Sequence, residues 1–99
     1  MNQAIVEYLK TRQEIIVQLQ QLLVEVSLLD HEPEKLDPDS PLFGSGFGLD
    51  SIDAIEILVG VEQQFGLQLD EDNLSGPLYL RTINTITDLI MAQKQKAQV

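Results

Sequence analysis

The stretch from Asp30 to Gly48 holds Pro33, Pro38 and Pro41 and then Gly44, Gly46 and Gly48. It lies between two segments whose apolar residues recur at helical spacing. Proline lacks the backbone N–H that a helix interior or a central strand needs, so positions 30–49 read as a long loop with helices on either side. Before the loop, Ile15, Ile16, Leu19, Leu22, Leu23 and Val26 form a wide apolar stripe with helical periodicity. No segment alternates apolar and polar residues long enough for a sheet, so the expected fold is all-α. Long loops in compact domains usually carry function; Leu36, Leu42 and Phe43 are the side chains expected to pin this one to the core.

The first helical region spans about Asn2 to Leu29; one long helix or a short helix followed by a longer one would both fit, and the continuous helix is the preferred reading. Its first part, residues 1–14, is an N-terminal helical extension with the apolar cluster Ile5, Val6, Tyr8 and Leu9. Thr11-Arg12-Gln13-Glu14 has capping-box spacing, the mark of a helix start, although nothing from Lys10 to Glu14 is a strong breaker. The second helix is expected from Asp50 or Ser51 to Phe65, with Gly66 as its stop. Leu67 to Leu80 begins acidic, is broken by Gly76-Pro77, and has room for one short helical turn. The last helix is expected from a Thr82 cap to about Lys94, with Ile83, Ile86, Leu89 and Ile90 inward and Lys94 and Lys96 complementing the dipole at its end.

The 99 residues are enough for one small domain, and a hydrophobic content of 43% supports a folded core. Sixteen acidic and six basic residues give a formal net charge of -10. Such a surface repels nucleic acid and favours partners with basic surfaces, reached by electrostatic steering. The chain has no cysteine, which excludes disulfides, thiolate metal sites and a thiol nucleophile of its own. No apolar run reaches membrane-spanning length, and Glu7 does not suit a signal peptide. A cytoplasmic monomer without a membrane span is expected, with no metal site.

The second helix carries two apolar stripes. Ala54, Ile57, Leu58, Val61 and Phe65 follow the spacing of a core face, whereas Ile52, Ile55 and Val59 lie on a different face among Asp53, Glu56 and Glu62. A small domain has one core to offer, so the second stripe is expected to be exposed. The alternative is that it packs beneath the Pro/Gly loop. Asp50-Ser51-Ile52 stands where the loop enters this helix. Unpaired N–H groups and the dipole at a helix N-terminus suit a phosphate, and a hydroxyl there is well placed to carry a phosphodiester.

Gly48-Leu49-Asp50-Ser51-Ile52-Asp53-Ala54-Ile55-Glu56-Ile57 resembles the attachment motif of acyl carrier proteins, a G-x-D-S-[LI]-D run leading into an acidic, apolar helix. The resemblance extends over roughly Leu19 to Ile90. It implies a four-helix bundle of three main helices and a short third one, with a long loop between the first two. It implies 4'-phosphopantetheine, delivered from coenzyme A, on Ser51 beside Asp50. It also implies no enzymatic activity, since the arm's thiol holds an acyl group as a thioester and other enzymes do the chemistry. Ile52, Asp53, Ile55, Glu56, Val59 and Glu62 would then be the docking face. Its partners would be a phosphopantetheinyl transferase and acyl-loading and condensing enzymes. Ile57, Leu58, Val61 and Phe65 would line the core an acyl chain can enter. The N-terminal extension, the glycine-rich loop and Gly76-Pro77 depart from compact family members and suit a specialised lipid or polyketide-type pathway as well as fatty-acid synthesis.

Two other readings compete. A peptidyl or D-alanyl carrier would share the serine, but Asp50 and the acidic second helix favour the acyl type. An unmodified acidic helical adaptor would use the Ile52, Ile55, Val59 stripe and have no need of Ser51. The glycine-rich loop lacks the strand and lysine of a nucleotide-binding loop. Asp37-Pro38-Asp39 lacks the remainder of an EF-hand. His31, the one histidine, reads as a loop residue.

Overall fold

Helix α1, Gln3–Ser27, is a single unbroken helix of 25 residues. It begins where the Asn2 side chain accepts the Ala4 N–H at 2.9 Å and the Asn2 carbonyl accepts those of Ile5 and Val6. Thr11 to Glu14 therefore lie inside the helix and start nothing, despite their capping-box spacing. Their N–H groups have helical partners already, and a cap acts only where such groups are orphaned. The computed structural model describes residues 2–27, 32–43, 46–67 and 80–97, and of Ser27, Ser51 and residues 95–97 it describes the backbone alone. Leu28, Leu29 and His31 lie outside these residues, as does the short helical turn expected between Leu67 and Leu80.

Helices α2, Ser51–Phe65, and α3, Ile83–Ala97, have 15 residues each. Both pack on α1. At 1.5 Å per residue α1 is about 37 Å long and its neighbours about 22 Å, so α1 overhangs. Residues 2–10 are all exposed, and Ile5, Tyr8 and Leu9 continue the core stripe of α1 into solvent. Farther along, Leu19 and Leu23 are fully buried against Ile57 and Val61 of α2 and Ile83, Ile86 and Ile90 of α3. Where α1 meets α2 the spacing is tight: a Cβ on Gly60 would lie 2.9 Å from Leu22 Cδ1.

Among the described residues there is no strand, only an isolated bridge between Phe43 and Leu49. The long loop contains a short 3₁₀ turn, Pro33–Lys35, because proline is tolerated in the first turn of a helix, where its missing N–H has no partner to lose. Leu36 and Leu42 are fully buried and Phe43 packs on the core, as expected of them. The loop is also held by polar groups. Gln20, itself buried, donates from Nε2 to the Leu36 carbonyl at 2.9 Å. The Leu42 N–H donates to the Arg81 carbonyl at 2.9 Å, and the Asn84 N–H to the Pro38 carbonyl at 3.1 Å.

Helix α3 starts as Thr82 suggested. The Thr85 N–H donates to Thr82 Oγ1 at 3.1 Å and the Thr82 N–H to Thr85 Oγ1 at 2.9 Å, a reciprocal cap built from two threonines. The helix runs three residues past Lys94, to Ala97. Arg12 ties α1 to it, with Nη1 2.6 Å from Asp88 Oδ1 and Nη2 donating to Asn84 Oδ1 at 3.4 Å.

Candidate functional site

The loop delivers the chain to the start of α2 through close backbone packing. The Phe47 N–H donates to the Pro41 carbonyl at 3.1 Å and the Leu49 N–H to the Leu42 carbonyl at 3.0 Å. A Cβ on Gly46 would fall 1.7 Å from the Pro41 oxygen, so only glycine fits there. Gly48 has a φ of 73°, the left-handed region that other residues enter at a cost. Leu49 is then buried and anchors the residue before the cap.

Asp50 is that cap. Its backbone is extended and its Oδ1 accepts the N–H groups of Ile52 and Asp53, each at 3.0 Å. Asp53 Oδ2 accepts the Asp50 N–H at 3.0 Å in return. Ser51 is the first residue of α2, enclosed in sequence by this reciprocal box. The Asp53 N–H, above all, holds the Asp50 carboxyl below its ordinary pKa, against the opposing effect of desolvation. The cap corrects the expectation of unpaired N–H groups waiting for a phosphate: those of Ile52 and Asp53 already belong to Asp50. The D-x-x-D spacing was the available signal for the box.

The two stripes of α2 separate as expected. Ile57 and Val61 are fully buried, and Leu58 and Phe65 are half-buried against the core. Ile52, Ile55 and Val59 are 66%, 62% and 44% exposed, so the loop does not cover them. Glu56 is exposed beside them, while Asp53 and Glu62 are half-buried. With Asp50, α2 carries four carboxylates and no cation. The helix ends at Gly66, with φ of 66°, whose N–H donates to the Glu62 carbonyl.

Asp50, Gly48 and Ile52 are exposed, and the Asp50 carboxylate already takes the N–H groups of both Ile52 and Asp53. None of the described helices is long and apolar enough to cross a membrane.

Comparison with known proteins gives consistent matches. The family model described as "Phosphopantetheine attachment site" matches residues 17–90. An acyl carrier protein of Rhodococcus erythropolis is 33% identical over 89% of this chain and 88% of its own. A meromycolate extension acyl carrier protein of Mycolicibacterium smegmatis is 28% identical over 87% of this chain and 81% of its own. Among solved structures, the chain matches one chain of an engineered Bradyrhizobium japonicum glycine:[carrier protein] ligase complexed with carrier protein from Agrobacterium tumefaciens and ATP. The TM-score is 0.67 at 19% identity, covering 79% of this chain and 97% of that one, a likeness of fold.

Proposed function

The chain belongs to the phosphopantetheine-attachment family, among the acyl carrier proteins, and from this we propose that Ser51 is its attachment residue and the exposed face of α2 its docking surface. The family's group is covalently bound 4'-phosphopantetheine, whose terminal thiol holds an acyl cargo as a thioester. The observation that carries the assignment is Ser51 as the first residue of α2, inside the Asp50–Asp53 box and next to the open Ile52, Ile55, Val59 stripe.

This chain supplies position and recognition. Asp50 and Asp53 order the turn that bears the hydroxyl. Glu56 and its neighbouring carboxylates steer basic partner surfaces, and Ile52, Ile55 and Val59 supply apolar contact. The base that takes the Ser51 proton, and the Mg²⁺ that meets the phosphates of coenzyme A, come from the phosphopantetheinyl transferase. Cargo of the acyl type, in a lipid-building pathway, is supported by the meromycolate extension acyl carrier protein relatives and by the acidity of α2. The aliphatic core around Ile57, Leu58, Val61 and Phe65 has the chemistry to admit an acyl chain. Entry would displace the NMR signals of Ile57 and Val61 when the arm is acylated.

Intact mass tests the assignment. After incubation with coenzyme A, Mg²⁺ and a broad-specificity transferase, the protein gains one phosphopantetheine and Ser51→Ala gains none. No added mass, or equal addition to the variant, overturns it.

A further inference from the structure

A helix begins with four backbone N–H groups that have no partner in the helix itself. At the start of α2, three of them are met by carboxylate oxygens. The N–H groups of Ile52 and Asp53 both donate to Asp50 Oδ1, and that of Asp50 donates to Asp53 Oδ2, all at 3.0 Å. The acceptors belong to the residues immediately before and two after Ser51, so both sides of the attachment point carry a negative charge. The Asp50 carboxyl is held ionised by these bonds, its pKa being lowered. A phosphodiester is a weaker hydrogen-bond acceptor than a carboxylate, because it is less basic. It also brings a further negative charge toward two already in place, and like charges so close repel.

We propose that Asp50 is a positioning residue for the arm: it occupies the Ile52 and Asp53 N–H donors of the helix end, so a phosphodiester on Ser51 gains no bond to either of them and the arm is not anchored there at its root. The inference rests on Ser51 as the attachment residue and deepens that reading. It separates two effects that a helix N-terminus usually joins. The turn is ordered by an anion, but the anion is the protein's own. Loading then adds an arm without adding bonds between that arm's phosphate and the Ile52 or Asp53 N–H. Such an arm turns freely toward successive partners, and its release from one does not break contacts with its own domain.

Hydrogen exchange of backbone amides, read by NMR on protein whose loading is verified by intact mass, tests this directly. In the wild type, the protection of the Ile52 and Asp53 amides is the same before and after loading to within about twofold. In unloaded Asp50→Ala both amides lose protection several-fold. Loading of that variant by excess transferase restores protection, because the phosphate now reaches vacant donors. Asp50→Asn retains an acceptor oxygen, so its two amides start protected, but it lacks the carboxylate's charge and basicity, and loading therefore raises their protection further as the phosphodiester displaces the neutral amide. A several-fold gain in protection of Ile52 and Asp53 on loading the wild type overturns the proposal while leaving the attachment site intact. The wild-type comparison decides by itself if the alanine variant resists loading. Absence of added mass on the wild type removes the attachment reading and this inference together.

Discussion

Asp50 does at the scale of one residue what its place in the motif does not announce. Its lowered pKa fixes the sign of its pH dependence: the folded state holds the ionised carboxyl more tightly than the unfolded chain does. The contribution is therefore fully present at neutral pH and is lost as the pH falls through and below the ordinary aspartate range. Acid titration of thermal stability should show wild type and Asp50→Ala converging at low pH and separating above it. Gln20 offers a second residue-scale prediction. Gln20→Leu leaves the Leu36 carbonyl without its buried donor and should cost about 1–3 kcal/mol in a urea titration. The Gln20 role is not legible in the sequence: a glutamine amid apolar neighbours gives no sign of facing a loop carbonyl sixteen residues on. The Asp50 box leaves a trace in the D-x-x-D spacing, but that trace does not say which N–H groups each carboxylate takes. Gly46 stands between these cases: the loop's glycine content was plain, but the need at this position comes from the Pro41 carbonyl, which sequence does not place.

Helices were the most legible elements. The Phe65 end and Gly66 stop of α2 and the Thr82 start of α3 follow from local chemistry, which is written in neighbouring residues, whereas the capping-box spacing of Thr11 and Glu14 left the continuity of α1 open. Contacts between elements were not legible. Gly60, a residue that weakens a helix by itself, lies close against Leu22 of α1, where an added Cβ would come within 2.9 Å of Cδ1. Gly60→Val should force the helices apart and destabilise the domain by about 1–3 kcal/mol, measured by chemical denaturation. The overhang of α1 predicts the opposite outcome. Removing residues 2–9, all exposed, should change stability by less than about 1 kcal/mol in the same assay. On α2, Glu56→Lys should slow loading by the transferase on the order of tenfold at low salt and leave the helical circular dichroism unchanged. Equal rates would remove the acidic face from the docking surface.

The whole molecule is governed by its charge and by the order in which its core is assembled. A net charge of -10 makes the folded state repel itself, so added salt should raise the thermal midpoint while slowing encounter with basic partners. The assembly order follows from α3. Ile83, Ile86 and Ile90 are each no more than 1% exposed, the same helix receives Arg12 and braces the loop at Pro38, and Arg81 just before it holds the loop at Leu42. During synthesis the first two helices emerge with their inner faces uncovered. The buried layer lacks its α3 side until residue 90 has emerged, so a nascent chain stopped before Ile83 should be cut by proteases that the full chain resists.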